Sequence, residues 1–298
     1  MSTEAQSLTK HTASIGNVAH RLFSKVSERY DQGGVELLGV PSGFQTIDRM
    51  TGGLGVDEMW VIAGATGGGK SSLALNMALN ACRRDENVLF YSLEMSAESL
   101  VNRLLSTMTG VDSGRIIRGK FSSTEKRALE NAISDIDDLG LYIIDSTCTS
   151  QMVREHSFRI ADKVGGVGLI CVDYAQLLGD DSSLGDVERL TRISNNIRNL
   201  ARPDQMNAPV ILLSQLNRAS QSREDKTPQL HDLKGASQFE QDAHVVLLLH
   251  RPHREAMTKG AEPKDIEDDA KIIVAKNRSG PSGSTTAKFN TRTTTWTQ

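Results

Sequence analysis

Eight residues constrain this chain more than any other stretch. Gly64–Ser71 reads Gly-Ala-Thr-Gly-Gly-Gly-Lys-Ser, which matches the pattern G-x-x-x-x-G-K-[ST]. The apolar run Met59-Trp60-Val61-Ile62-Ala63 precedes it and reads as a buried strand. A helical stretch from Ser72 to Cys82 follows, with Leu73, Met77, Ala78 and Ala81 at helical spacing. A strand that delivers a glycine-rich loop to a helix N-terminus aims free N–H groups at anionic phosphate. Gly64, Ala65, Thr66, Gly67, Gly68, Gly69, Lys70, Ser71 and Ser72 are therefore expected to hold a nucleotide. A glycine-rich turn with an exposed lysine would explain neither the density of glycine nor the strand before it.

The rest of the chain fits a large α/β domain. From Val40 onward, strand-like and helix-like runs alternate. Strands are expected at Val88–Leu93, Leu141–Ile144, Leu169–Val172 and Val210–Leu213. Helices are expected at Ser96–Thr109 and Ser150–Val164, after a capping box at Ser122–Glu125, and where Val187, Leu190, Ile193, Ile197 and Leu200 share one face. The pattern then turns strand-rich at Val245–Leu249, Lys271–Ala275 and Thr285–Phe289. Such a sequence predicts a mostly parallel central sheet with helices on both faces and an antiparallel C-terminal extension. Ser220–Thr227 and Met257–Asp269 read as exposed polar connections.

Ahead of this domain the character differs. Residues 1–14 are polar, the composition of a mobile terminus. Ile15, Val18, Ala19, Leu22, Phe23 and Val26 then recur at spacings of three and four, one apolar stripe of a helix that Gly33-Gly34 stops. The expected division is a tail plus amphipathic linker helix over 1–34 and the α/β domain over 35–298.

Composition excludes several classes. The 298 residues hold no apolar stretch near the ~18 that span a bilayer, and the start has no signal-peptide pattern. Cys82, Cys148 and Cys171 are far apart and form no metal-binding or disulfide framework. A cytosolic protein without a membrane role is expected. The net charge of −3, from 34 basic and 37 acidic residues, argues against a protein that coats nucleic acid with its whole surface. Nucleic-acid contact would need a local basic cluster.

Strand ends carry the remaining chemistry. Asp173 ends the run Leu169–Val172, where a carboxylate can hold the water shell of Mg²⁺ while the Ser71 hydroxyl takes an inner position. Glu94 follows Leu89–Leu93 and is placed to deprotonate an attacking water. Gln215 follows Val210–Ser214 and can hydrogen-bond a γ-phosphate. Three strands ending in Glu, Asp and Gln converge more tellingly than any one does. His250 and His253 lack a nearby Cys or carboxylate, so His250–His253 reads as a strand end with exposed polar residues rather than a metal site.

A series of strings, in order, carries a family resemblance. It runs Gly39-Val40-Pro41-Ser42-Gly43-Phe44, Tyr91-Ser92-Leu93-Glu94-Met95-Ser96, Val172-Asp173-Tyr174-Ala175-Gln176, Leu213–Arg218, Phe239–Ala243 and Ala275-Lys276-Asn277-Arg278-Ser279-Gly280-Pro281. From about Val35 to Phe289 the chain resembles the C-terminal RecA-like motor domain of DnaB-family replicative DNA helicases. The resemblance implies a homo-hexameric ring, ATP and Mg²⁺ between subunits, and single-stranded DNA in a central pore with 5′-to-3′ polarity. It implies phosphate and metal contacts by Lys70 and Ser71, a catalytic Glu94, an acidic Asp173 and a sensor Gln215. It also implies that Lys276 and Arg278 reach a neighbour's γ-phosphate and that Arg103 lies on the nucleotide side. Spacing alone would leave Lys276 and Arg278 as a solvated basic turn.

Lys234, Gly235, Ala236 and Ser237 match the family's DNA-binding pore loop, although Lys234 replaces the usual arginine and Gly235 a frequent acidic residue. The segment before Val35 matches the family's linker helix and leaves no room for the N-terminal helical domain that engages primase. Primase or loader partners are therefore open, and a phage- or plasmid-type helicase in a bacterial host is one expectation. Two other readings compete, a RecA-like DNA-binding or recombination protein and an assembly ATPase that does not unwind.

Overall fold

The computed structural model describes residues 14–34, 37–181, 183–217, 223, 225–233, 237–252 and 267–298. The chain divides into two units, Met1–Leu38 and Gly39–Gln298.

In the first unit, helix α1 spans Ile15–Asp31. Ser14 caps its start, its hydroxyl accepting from the Asn17 N–H at 3.2 Å. Gly33 and Gly34, at φ 85° and 84°, turn the chain out of the helix, as only glycine does without strain. No residue of α1 is buried, and its apolar stripe is exposed, with Ile15 at 89% and Phe23 at 71%.

The second unit is built on one sheet. Its strands are β1 (Met59–Gly64), β2 (Val88–Ser92), β3 (Leu141–Ile144), β4 (Leu169–Asp173), β5 (Val210–Gln215), β6 (Val245–His250), β7 (Glu267–Asn277), β8 (Gly283–Asn290) and β9 (Thr295–Thr297). They lie in the order β3-β2-β4-β5-β1-β6-β7-β8-β9. The strands from β3 to β6 run parallel, and β6, β7, β8 and β9 pair antiparallel. The helices are α2 (Gln45–Thr51), α3 (Lys70–Cys82), α4 (Ala97–Thr109), α5 (Ser113–Ile117), α6 (Ser123–Asp137), α7 (Ser150–Val164), α8 (Asp186–Ala201) and α9 (Ser237–Asp242).

Burial on both faces explains the unbroken apolar runs of the central strands. β1, β2, β4 and β6 are buried along their whole length. Trp60 and Ile62 pack with Leu73, Met77 and Leu100 on one face; Val61 and Leu89 pack with Val153, Leu190, Ile193 and Ile197 on the other. Cys82, Cys148 and Cys171 are free and buried, and burial pushes the Cys82 and Cys148 thiols up to about 12 and about 11, which leaves them inert.

Local signals and structure differ in four places. α3 starts at Lys70, two residues before the expected Ser72, because Gly69 takes the N-cap in the left-handed region at φ 90°. Strand β7 reaches back to Glu267, into the segment read as a polar connection, since its register with β8 begins there. The short helices α2, α5 and α9 and strand β9 carry too few residues for a periodic pattern, so the sequence did not announce them. Finally, His250 and Arg251 are not exposed: they are 9% and 5% accessible. Their partners come from the distant β7 and β8, which spacing cannot reveal. The capping box at Ser122 is present, with both reciprocal bonds to Glu125.

Candidate active site

Parallel order makes β1 the strand where the connections diverge, with β5 on one side and β6 on the other. Ligands sit at such a switch point, beyond the C-terminal ends of the strands. The loop Gly64–Gly69 lies there. Its lysine is held from within, the Lys70 ammonium donating to the Gly64 and Ala65 carbonyls at 3.1 Å each. Gly69 is required, because a Cβ there would meet the Trp296 ring at 2.9 Å. Trp296 Nε1 donates to the Gly69 carbonyl at 2.9 Å, and its backbone N–H donates to Asn76 Oδ1 at 2.8 Å, so β9 clamps the loop and the first turns of α3.

A cavity of about 290 Å³ opens above this loop. Thr66, Gly67, Gly69, Lys70, Ser71 and Ser72 line one side. Glu94, just past β2, Arg103, in the middle of α4, and Gln215, at the end of β5, line it from the other elements. Ala65 and Gly68 close the turn through a 2.9 Å bond from the Gly68 N–H to the Ala65 carbonyl. One pocket thus gathers seven of the ten residues expected to bind nucleotide, Gly64, Ala65 and Gly68 being the others, together with two of the four expected to act on it.

Asp173 lies beneath, fully buried, and neither carboxylate oxygen has a hydrogen-bond partner. Its pKa is raised to about 6, chiefly by burial; the Ser71 hydroxyl, close by but short of full hydrogen-bond geometry, opposes this, as do the charges of Lys70 and Arg103, while Glu94 adds to it. Burial lowers the pKa of Lys70 and of Arg103, and in both cases Asp173 and Glu94 partly offset it. An orphaned buried carboxylate beside a hydroxyl is the all-oxygen donor set that suits Mg²⁺, so the residues present fit that ion. Gln176, just beyond β4, donates to the Ser214 hydroxyl at 3.0 Å and ties the tips of β4 and β5 beside Gln215.

Lys276 and Arg278 do not reach this pocket. They lie where β7 pairs with the start of β6, and the Arg278 N–H bonds the His244 carbonyl next to the start of β1. The phosphate loop leaves the opposite end of β1. Five steps of ~3.3 Å put roughly 17 Å between these levels, beyond the reach of either side chain. Lys276 donates to the Glu240 and Gln241 carbonyls at 2.5 and 3.2 Å, and Arg278 donates to the Gln241 carbonyl. Both cations therefore cap the C-terminal end of α9. Ser237 opens α9 and is exposed; Lys234, Gly235 and Ala236 lie outside the described residues.

Arg251 was missed from sequence. It donates to the Gly67 carbonyl at 3.1 Å, pairs with buried Asp268, stacks 3.9 Å above the Phe289 ring and lines the pocket. A planar cation on an aromatic ring at a pocket wall can flank a nucleobase. His250 precedes it in the same strand end, and His253 lies outside the described residues.

Comparisons with known proteins agree with this fold. The model of the DnaB-like helicase C-terminal domain matches residues 39–298. Replicative DNA helicase DnaB of Geobacillus stearothermophilus is 32% identical over 286 residues, which cover 94% of this chain and 61% of the relative. Replicative DNA helicase DnaC of Bacillus subtilis is 31% identical with the same coverage. The chain thus spans about three-fifths of the length of these curated relatives. A solved structure of an isolated ATPase domain superposes with a TM-score of 0.85 at 28% identity, covering 96% of this chain and 99% of that one. A DnaB-like replicative helicase described with its primase interactions superposes at 0.82 and 29% identity, covering 96% and 67%. With a family model matching the whole second unit, the chain belongs to the DnaB-like helicase C-terminal domain family.

Proposed function

We propose that this chain is the motor of a ring-shaped, ATP-driven translocase that runs 5′ to 3′ on single-stranded DNA and unwinds duplex DNA during replication. One observation carries the reading: Lys70, Ser71, Glu94, Arg103 and Gln215 line one cavity above the partnerless buried Asp173. The loop N–H groups and Lys70 hold the β- and γ-phosphates. Ser71 and Asp173 would hold the Mg²⁺ shell, and the ion, when bound, would supply charge neutralisation. Glu94 takes the proton of the attacking water, and Gln215 bonds the γ-phosphate. Arg251 and Phe289 flank the base.

Lys276 and Arg278 lie too far from this cavity to act within one subunit. In a homo-hexamer they would serve the neighbour's nucleotide, where positive charge supplied in trans stabilises the transition state. Residues 1–34 serve as tail and linker and 35–298 as motor, with the exposed stripe of α1 covering an adjacent subunit. Lys234, Gly235, Ala236 and Ser237 hold the strand's phosphates in the pore without reading sequence. A primase is a proposed partner, on the strength of the matching helicase described with one. The place of work is the bacterial cytoplasm; no helix among the described residues is long and apolar enough to cross a membrane.

Strand displacement on a forked substrate tests this. Wild type is expected to release the strand from a substrate with a 5′ tail only with ATP and Mg²⁺. Lys70→Ala should bind and turn over no ATP, and Glu94→Gln should bind ATP and hydrolyse it very slowly. DNA-stimulated ATPase without displacement would favour a RecA-like binding protein instead.

A further inference from the structure

A second cavity, of about 510 Å³, lies between α7 and α8, and no role above involves it. Its floor is fixed. The Ser150 N–H and hydroxyl both donate to Asp180, at 2.8 and 2.5 Å, and Asn196 Nδ2 donates to the Ser150 hydroxyl at 2.7 Å. Its walls are basic. Arg154 comes from α7, Arg192 from α8 and Arg202 from the end of α8. The one acidic lining residue, Asp204, pairs with Arg202 at 3.3 Å. Three arginines less one aspartate leave the lining at +2, in a chain of net charge −3.

The guanidinium groups are not equally engaged. Arg154 donates twice to Gln205 Oε1, at 2.8 and 3.1 Å, and sits 5.2 Å over the Phe158 ring, which fixes its fork. The Arg192 guanidinium makes no hydrogen bond or ion pair among the described residues, and its charge helps to hold the exposed Asp181 carboxyl below its usual range. A free guanidinium beside a fixed one, over a rigid polar floor, is an arrangement that grips phosphate through paired N–H donors.

We propose that this cleft is a nucleic-acid backbone site, taking phosphodiester groups of a single strand through Arg192 and Arg154. The lining polar residues are arginines, amides, a serine and one aspartate, with no aromatic or aliphatic side chain among them. It therefore offers no platform for base stacking, and contact is limited to phosphate and sugar. The same lack of apolar anchors argues against an acidic peptide, which would need a buried side chain to hold it. The cleft uses other residues than Lys234–Ser237, so it adds a second contact to the motor reading and does not depend on unwinding.

Fluorescence anisotropy with labelled oligo(dT) across a salt series tests it on the full chain. Arg192→Ala breaks no bond within the protein and should leave ATPase without DNA unchanged. It is expected to weaken oligo(dT) binding and to lower the log–log salt slope by roughly 0.7 for each subunit that engages the strand, one phosphate contact apiece. Arg192→Glu should weaken binding further, and Arg192→Lys should restore the slope. Wild-type affinity and slope in Arg192→Ala and Arg192→Glu would overturn the proposal. So would a wild type that does not bind oligo(dT) at low salt, or variants that lose poly-glutamate binding while keeping DNA. Retained DNA binding without strand displacement would overturn the motor reading and leave this site standing.

Discussion

Asp173→Asn should stabilise the ligand-free protein while destroying its chemistry. Asp173 is fully buried, and its carboxyl titrates at about 6 instead of 3.8, mainly because burial penalises the charged form. An acid whose folded pKa lies above its unfolded value binds more protons when folded. Its charged form therefore costs stability as pH rises through the window from 3.8 to about 6, and the cost is full above that window. A shift of about two units, at 1.36 kcal/mol each, makes the full cost about 3 kcal/mol. Linkage leaves about half of that at pH 5. The Asn amide matches the protonated acid in size and polarity and carries no such cost. Urea unfolding of EDTA-treated, nucleotide-free protein should therefore show the variant about 3 kcal/mol more stable at pH 8, with the gap roughly halved at pH 5. ATP turnover should collapse, and the stabilisation that Mg²⁺ and ATP give the wild type should shrink. A variant less stable than wild type at pH 8, or a gap that does not vary with pH, would refute the reasoning, because it would mean that Asp173 is not a desolvated carboxylate awaiting a cation.

Arg278→Ala should leave ATP binding largely intact and cut hydrolysis by roughly 10³. Mixing it with Lys70→Ala should restore partial ATPase, since some interfaces then pair an intact loop with an intact arginine; no recovery in rings shown to be mixed would count against a shared site. Arg251→Ala strands the buried Asp268 carboxylate and should cost about 3–5 kcal/mol by chemical denaturation, whereas Arg251→Met with Asp268→Leu should recover most of it. Deleting residues 1–32 should leave the circular dichroism of the α/β unit unchanged but yield smaller species by light scattering with little ATPase; a full-size, fully active ring would show α1 to be an independent appendage.

The sequence by itself determined the elements whose cause is local. The Gly64–Ser71 loop, the buried runs of β1, β2, β4, β5 and β6, and the capping box at Ser122 each follow from a short pattern acting on its own backbone. The placement of Glu94, Asp173 and Gln215 at strand ends was equally legible, because parallel strands bring such ends to one edge. What only the tertiary structure decided is what depends on partners far along the chain. Arg251 reads as part of a polar strand end until Asp268 and Phe289, from other strands, bury it and turn it toward Gly67. Trp296 gives no sign that its ring would forbid any side chain at Gly69. Lys276 and Arg278 read as functional only through family resemblance, and the sheet sets them at the end of β1 away from their own loop. Periodicity reports the environment a residue needs; it does not report which distant residue supplies it, and that depends on strand order and register.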